Sequence, residues 1–363
     1  MGLKIKVKAP AKPRGLIMSL EPESARRAAG VRQLGPIKQS GVWDLYRDGV
    51  TNSLIRSFLS CRKQTELAYV DGWTNIYPKY ALEFGTVVHE ALRAAYSNGA
   101  KPIGEKGSLK LAQSYFAGRK LNSHPLTGEQ ISAGKEMENW REEITGLAGA
   151  MMPSYFRKWK EDFSPAIKWL HAESRFCVPF EVVPGVWIAL QGMIDGVFKR
   201  KGRIYLLDTK TYSRAVDDDD SAAMLAFDFQ LKLYSLVWMI LTGVQPDGIV
   251  RNAIRKSALS RSGGTKAFVE ATRADVAKRP QHYFQRFTHR FGPGDLRRWA
   301  EGVLRPVIFE IMRWVHGHSL TFVNADHLMW GFARCQMFNA IVHGDFSDYY
   351  QRKVPFAELE GEE

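Results

Sequence analysis

The chain has 363 residues, 45% of them hydrophobic and 12% aromatic, which excludes wholesale disorder and leaves room for a substantial core. Its 51 Lys and Arg against 38 Asp and Glu give a formal +13, an excess that points to a phosphate-bearing partner rather than to small-metabolite chemistry. Three cysteines, Cys61, Cys177 and Cys335, lie far apart and in no C-x-x-C pair, which argues against a disulfide framework or a tetrahedral zinc site.

The charge is segregated. Residues 1–50 hold 10 Lys/Arg against 4 Asp/Glu and residues 251–300 hold 12 against 3, so the rest of the chain is close to neutral. Residues 1–40, rich in Lys, Pro, Gly and Arg and without a sustained period, read as a flexible basic arm. Order begins near Trp43. Ser53 is the expected N-cap of a helix carrying Leu54, Phe58 and Cys61 on one face. Further helices are expected over Ala81–Tyr96, Leu109–Lys120 and Gln130–Trp159, the last behind Thr127-Gly-Glu-Gln130, which has capping-box form.

From Trp169 the texture becomes β-branched and aromatic. Glu173–Val182, Val186–Lys199 and Arg203–Tyr212 read as strands, the last two joined at Lys201-Gly202. A helix over Ala222–Leu241 follows, then strands at Val250–Lys256 and Lys266–Ala271, then helices over Leu296–His316, interrupted or kinked at Pro306, and Ala325–His343. Glu358–Glu363 reads as a disordered acidic end. No apolar run is long enough to span a bilayer, and the basic N-terminus has no signal-peptide core, so a cytoplasmic protein without a membrane partner is expected.

Two strands each carry an aspartate among apolar neighbours: Gly192-Met-Ile-Asp195-Gly and Leu206-Leu-Asp208-Thr-Lys210. A carboxylate in such a place is costly unless compensated, and a metal ion is a good compensator. If Lys201-Gly202 is a two-residue turn, Arg200 faces Arg203, Asp195 falls opposite Asp208, and Lys210 projects from the same face. Two carboxylates and an ammonium at one point suit phosphodiester hydrolysis with Mg²⁺ or Mn²⁺. A buried Asp–Lys pair plus a turn aspartate is the alternative, and the hairpin alone weighs the two equally. His89, on an apolar helix four residues after Gly85, and the i, i+4 pair Gln230 and Tyr234 shift the balance toward a site.

In order, Ser53-x4-Phe58-x2-Cys61, Gly85-x3-His89-x2-Leu92, Gly192-x-Ile-Asp195-Gly196, Asp208-x-Lys210 and Gln230-x3-Tyr234 resemble the motif succession of RecB-like nucleases in the PD-(D/E)XK superfamily. The resemblance implies an α/β fold, a restriction-endonuclease-like mixed β-sheet flanked by helices, with helical additions at both ends. One nuclease domain would span 41–350: a helical part at about 50–165, catalytic strands at about 170–215 and the basic segment 251–300, with an acidic tail at 351–363. It makes His89, Asp195, Asp208 and the Thr209 carbonyl metal ligands, Lys210 the catalytic lysine, and Gln230 and Tyr234 positioning residues, with Glu173 as a supporting acid.

Some RecB-like nucleases hold an iron–sulfur cluster on four cysteines. This chain has three, so no four-cysteine cluster is expected within it, and Cys61 and Cys335 read as buried apolar residues. Ser53 and Arg56 at the first helix, and Arg255, Lys256 and Arg261 in the basic segment, are expected to contact DNA, with Phe268, Tyr283, Phe284, Phe287 and Trp299 as stacking surfaces where they are not core. Asp217–Asp220 reads as a solvated loop. The P-loop pattern is absent, so unwinding would need a separate helicase; a single-strand-binding or annealing protein is the other expected partner. The expected activity is a DNA exonuclease of recombination, repair or phage DNA processing. The alternatives are a structure-specific endonuclease and a DNA-binding accessory protein that no longer cuts.

Overall fold

The structure is a computed structural model that describes residues 41–97, 100–118, 124, 127, 129–131, 134–213, 222–292, 294–329, 335–352, 354–356 and 359. The basic arm 1–40, the Asp217–Asp220 run and nearly all of the acidic end lie outside these residues.

The strands are β1 (Val50–Thr51), β2 (Trp73–Asn75), β3 (Ile167–Val183), β4 (Val186–Arg200), β5 (Arg203–Tyr212), β6 (Gly248–Arg255), β7 (Phe284–His289) and β8 (Tyr349–Gln351). β2 and β8 form a small antiparallel pair. The other six make one mixed sheet. β3, β4 and β5 are antiparallel, β5 and β6 parallel, and β6 and β7 antiparallel. A parallel pair needs a crossover, and the helix between β5 and β6 supplies it.

The arrangement around β4 positions everything that follows. β3 lines one edge of β4 along almost its whole length. The other edge is shared: Gly196–Arg200 pair with β5, whereas Leu190 and Gln191 pair in parallel with Val50 and Thr51 of β1. Between them the sheet forks, and Asp195 stands at the fork. Arg200 faces Arg203 as the two-residue turn requires. Lys201 and Gly202 both have positive φ, 50° and 81°, the conformation that matches a tight hairpin to strand twist.

The longer helices are α1 (Asn52–Ser60), α2 (Tyr80–Tyr96), α3 (Glu105–Gly118), α4 (Gly134–Lys158), α5 (Phe229–Thr242), α6 (Gly264–Lys278) and α7 (Arg305–Val315). They bury both sheet faces. Leu206 and Ile249 pack with Leu54, Phe58, Leu231, Val237 and Trp314 from α1, α5 and α7. Leu207 and Val250 pack with Phe84, Val88, Ile144, Met151 and Phe268 from α2, α4 and α6. Two buried faces explain why β5 and β6 read as near-continuous apolar runs. By alternation, Asp208, Lys210 and Arg251 continue the Leu206/Ile249 face, toward the start of α5.

Several elements differ from the sequence reading. Thr51, not Ser53, caps α1: its hydroxyl accepts from the Leu54 amide at 3.2 Å, because Val50 and Thr51 are first held extended by β4. Lys266–Ala271 is not a strand but part of α6, where Phe268, Val269, Thr272 and Val276 bury one helical stripe. The long helix starts at Gly134 rather than Gln130, and the Thr127 hydroxyl accepts locally from the Glu129 amide instead of capping it. The Ala222–Leu241 helix breaks at Asp228, whose side chain caps α5 through the Leu231 amide at 3.0 Å. Ala325–His343 resolves into Ala325–Met329 and Phe338–His343, so Cys335 precedes the second helix. A π-helical turn at Ala300–Leu304 leads into Pro306 in the first turn of α7, where a missing N–H is tolerated. β7 was hidden in the basic segment.

Candidate active site

Asp195 sits where β5 parts from β4. The last ladder pair is Gly196 with Leu207; one step further, an Asp195 carboxylate oxygen accepts from the Thr209 amide at 2.5 Å. A side chain thus takes the place of a ladder carbonyl and ties the two arms together. Gly196 is required here, since a Cβ would meet the Trp169 ring at 2.9 Å.

Asp208 is fully buried, and its two oxygens lie 3.1 Å from Lys210 Nζ and 2.7 Å from Arg251 Nε. Both contacts are ion pairs at short distance, although Arg251 Nε does not direct its hydrogen along the line to the carboxylate. Burial pushes the Asp208 carboxyl above its usual range against the pull of Lys210 and Arg251, with Asp195 adding to the rise. Lys210 loses by burial and gains more from Asp208 and Asp195, so its pKa is raised and it stands as an ammonium.

His89 on α2 approaches from the other side. Its Nδ1 is 3.7 Å from Glu173 Oε1 and 3.9 Å from Asp195 Oδ2. Burial depresses the imidazole, but Asp195 and Glu173 together outweigh it and raise the pKa, with Lys210 opposing. Glu173 is held in a left-handed conformation, φ 49°, a strained state for a non-glycine residue in a strand. It faces the stretch of β4 that carries Asp195, between the pairs Ala172–Gly196 and Ser174–Ile194, and its second oxygen is 3.5 Å from Arg93 Nε. Gly85 lies against β5, where a Cβ would be 3.5 Å from Thr211 Oγ1; an alanine would therefore fit.

Gln230 donates to the Tyr234 hydroxyl at 2.6 Å, one helical turn along α5. Burial, then Asp195 and Asp208, raise the Tyr234 pKa, so the phenol stays neutral and close enough to sense both carboxylates. Phe176 holds its ring edge-on, with centroids 5.8 Å apart. Thr209 is buried, and Asn252 donates to its hydroxyl at 3.2 Å.

The structure therefore brings His89, Glu173, Asp195, Asp208, Lys210, Thr209 and Tyr234 together at the fork, with Gln230 attached through Tyr234. It places the other candidates differently. Ser53 and Arg56 are exposed on α1. Arg261 forms an ion pair with Glu143 at 3.0 Å over the Phe268 ring, Arg255 pairs with His282, and Lys256 lies over Phe84 while donating to the Ala81 carbonyl. Phe268, Tyr283, Phe284 and Trp299 are core, so these rings are not open for stacking. Arg286 is buried against Asp162 at 2.6 Å and Trp159. Much of the basic segment's charge is thus committed to holding helices and strands together. Cys61 and Cys335 are buried, the latter donating to Gln64 Oε1 at 2.7 Å; Cys177 is half-buried.

Sequence reading missed Arg251 and Asp228. Arg251 stands directly opposite Asp208 in the parallel ladder, and its Nη2 is 2.6 Å from Asp228. Its signal was available: a cation inside the apolar run Gly248-Ile-Val-Arg251-Asn-Ala-Ile is as anomalous as Asp195 or Asp208 in theirs.

Among the described residues, no three His, Cys, Asp or Glu side chains converge on one point as they stand. Asp208 is drawn instead to Lys210 and Arg251. In kind, the carboxylates and the Thr209 carbonyl suit a hard divalent cation, and the imidazole adds one borderline donor. Each buried Asp208 oxygen has two lone pairs and faces a single cation, so acceptor capacity for such an ion remains.

The family model described as "PD-(D/E)XK nuclease superfamily" matches residues 50–309, which contain all the residues gathered at the fork. No curated protein matches the chain. The solved structure titled "Crystal structure of SSO0001" is similar at 11% identity, covering 41% of this chain and 68% of that one, with a TM-score of 0.20.

Proposed function

The chain belongs to the PD-(D/E)XK nuclease superfamily, and from that premise we propose that it is a RecB-like, divalent-metal-dependent deoxyribonuclease whose site is the fork between β4 and β5. Members of this superfamily generally use divalent metals such as Mg²⁺. The observation that carries the reading is the burial of Asp208 beside Asp195, Lys210 and His89, a charge cluster too costly to maintain for packing alone.

In this reading His89, Asp195, Asp208 and the Thr209 carbonyl hold Mg²⁺ or Mn²⁺, and Glu173 orients His89. When bound, the ion supplies Lewis-acid polarisation of the phosphoryl oxygen and activation of water. Lys210 contributes as a fixed ammonium: it orients the attacking water and stabilises negative charge as it develops on the phosphoryl group. Tyr234, kept neutral and oriented by Gln230, donates a hydrogen bond into the site. Arg251 fixes the Asp208 carboxylate from behind and links it to Asp228 at the start of α5.

The substrate proposed is DNA and the mode exonucleolytic, in recombination, repair or phage DNA processing, with a helicase or an annealing protein as partner and no iron–sulfur cluster. The overall +13 supports a polyanionic substrate. No helix among the described residues is long and apolar enough to cross a membrane.

The test is incubation of the purified protein with end-labelled linear DNA and closed circular DNA, in Mg²⁺, Mn²⁺ or EDTA, alongside Asp195→Ala and Lys210→Ala. Metal-dependent degradation of linear DNA, lost in both variants, is expected. Cleavage indifferent to EDTA and to Asp195→Ala would overturn the site assignment. Binding without cleavage in either metal would support the non-cutting accessory protein.

A further inference from the structure

Phe268, Tyr283, Phe284 and Trp299 of the basic segment are buried and Phe287 is half-buried, yet one ring near the fork is exposed. Phe227 is 76% exposed and Met224, three residues before it, is 64% exposed. A single exposed apolar side chain needs no explanation; what distinguishes Phe227 is how firmly its backbone is held and what stands around it. It ends a short 3-10 turn, Leu225–Phe227, whose first residue is buried in the core. The next residue, Asp228, is fixed twice, by the Leu231 amide at 3.0 Å and by Arg251 Nη2 at 2.6 Å, and Arg251 Nε is 2.7 Å from Asp208. Two ion-pair contacts therefore connect the residue after Phe227 to the buried carboxylate of the fork. The ring is exposed while its mounting is rigid, the condition under which an aromatic contact loses little entropy on binding.

A cation accompanies the ring. Lys232, one turn into α5, holds its Nζ over one face of the Phe227 ring, 6.0 Å from the centroid, and the exposed ring offers its other face. The nearby carboxylate of Asp228 is occupied by Arg251, so it does not neutralise this lysine. An open π-face with an ammonium at about a nucleotide's dimension is a minimal reader of an unpaired nucleotide: the ring takes the base face and the ammonium takes the phosphate.

Resting on the nuclease reading above, we propose that Phe227 and Lys232 form a stacking platform that holds one unpaired base of the DNA strand delivered to the fork. The occupant is a single-stranded segment, since a base within a duplex has no free face to offer. The platform thus favours single-stranded or frayed ends over intact duplex, a preference created on the α5 side of the fork and not by the basic segment.

The test measures binding in EDTA, where no cleavage occurs, to single-stranded oligonucleotides carrying 2-aminopurine at successive positions. One position is expected to be quenched on binding. Phe227→Ala is expected to abolish that quench and weaken binding about 5- to 100-fold, the equivalent of one stacked base. Phe227→Trp should retain both, and Lys232→Gln should lower the salt dependence by roughly one phosphate contact. Wild-type binding and quench in Phe227→Ala would overturn the proposal, as would equal loss in Phe227→Ala and Phe227→Trp, which would indicate packing specific to phenylalanine. If the wild type neither binds nor cleaves any DNA with metal present, the nuclease reading itself fails. If it cleaves but Phe227→Ala is indistinguishable from it in binding, only the platform fails.

Discussion

Replacing Arg251 by methionine isolates the electrostatics of the fork. The guanidinium touches three groups: Asp208 at 2.7 Å, Asp228 at 2.6 Å and the Tyr212 hydroxyl at 3.1 Å. Asp228 keeps its amide donor and is partly solvated, so its loss is small. Asp208 is fully buried, and Lys210 alone would remain to offset its charge. Removing one member of a buried pair typically costs about 3–5 kcal/mol, because an uncompensated charge is left behind. That is a large share of an ordinary stability of about 5–15 kcal/mol. Methionine preserves most of the side-chain volume, which keeps cavity effects out of the comparison. Replacing Asp208 by leucine as well removes the stranded charge, so Arg251→Met/Asp208→Leu should be more stable than Arg251→Met alone. Urea denaturation followed by circular dichroism, analysed as a double-mutant cycle, measures this directly. A cost below about 1 kcal/mol for Arg251→Met, or additivity within about 0.5 kcal/mol, would refute the claim that the pair is a coupled unit.

Other consequences are equally specific. Lys210→Ala should lower the cleavage rate by roughly 10²–10³ with little change in DNA affinity, the size of effect seen for a single electrostatic stabiliser; an affinity loss at unchanged rate would contradict its role. His316 is buried against the Tyr46 hydroxyl, and burial, with His318 adding, lowers its pKa. The unfolded chain then takes up the proton more readily, so this contribution to stability is present above about pH 6.5 and lost as the pH falls through the window below it; His316→Gln should flatten that slope in thermal melts. Thr51→Ala removes the cap of α1 and should cost about 1 kcal/mol, whereas Ser53→Ala should cost almost nothing. Gly196→Ala drives a methyl into the Trp169 ring and should lower the melting temperature without touching the acidic residues, which a thermal shift assay would show.

The comparison of sequence and structure turns on which signals are local. The hairpin was legible because its determinants are adjacent: an apolar alternation on both sides of Lys201-Gly202 fixes the register, and the register fixes where Asp195 and Asp208 lie. The aspartates announced themselves by being costly where they stood. His89, Gln230 and Tyr234 were legible as spacings on helices. By contrast, the role of a charge in the basic segment is not a property of its neighbours in sequence. Arg261 reads as a DNA contact until Glu143, more than 100 residues earlier, is brought beside it, and Arg286 is taken up by Asp162 in the same way. The aromatics between them look like stacking platforms until two helical layers close over the sheet. Lys266–Ala271 carried a pattern short enough for either strand or helix, and packing of Phe268 and Val276 against α4 and the sheet selected the helix.

The sequence by itself determined the superfamily, the hairpin and the identity of the acidic residues at its fork, because local patterning and the cost of a buried charge are written in neighbouring residues. Only the tertiary structure decided which cations compensate those charges. Arg251 reaches Asp208 through a parallel ladder whose two strands are joined by a crossover of 35 residues, and no local rule sets that register. It likewise decided that Phe227 is left open to solvent beside the fork while Phe268, Tyr283, Phe284 and Trp299 of the basic segment are core, since burial is settled by what the rest of the chain packs against.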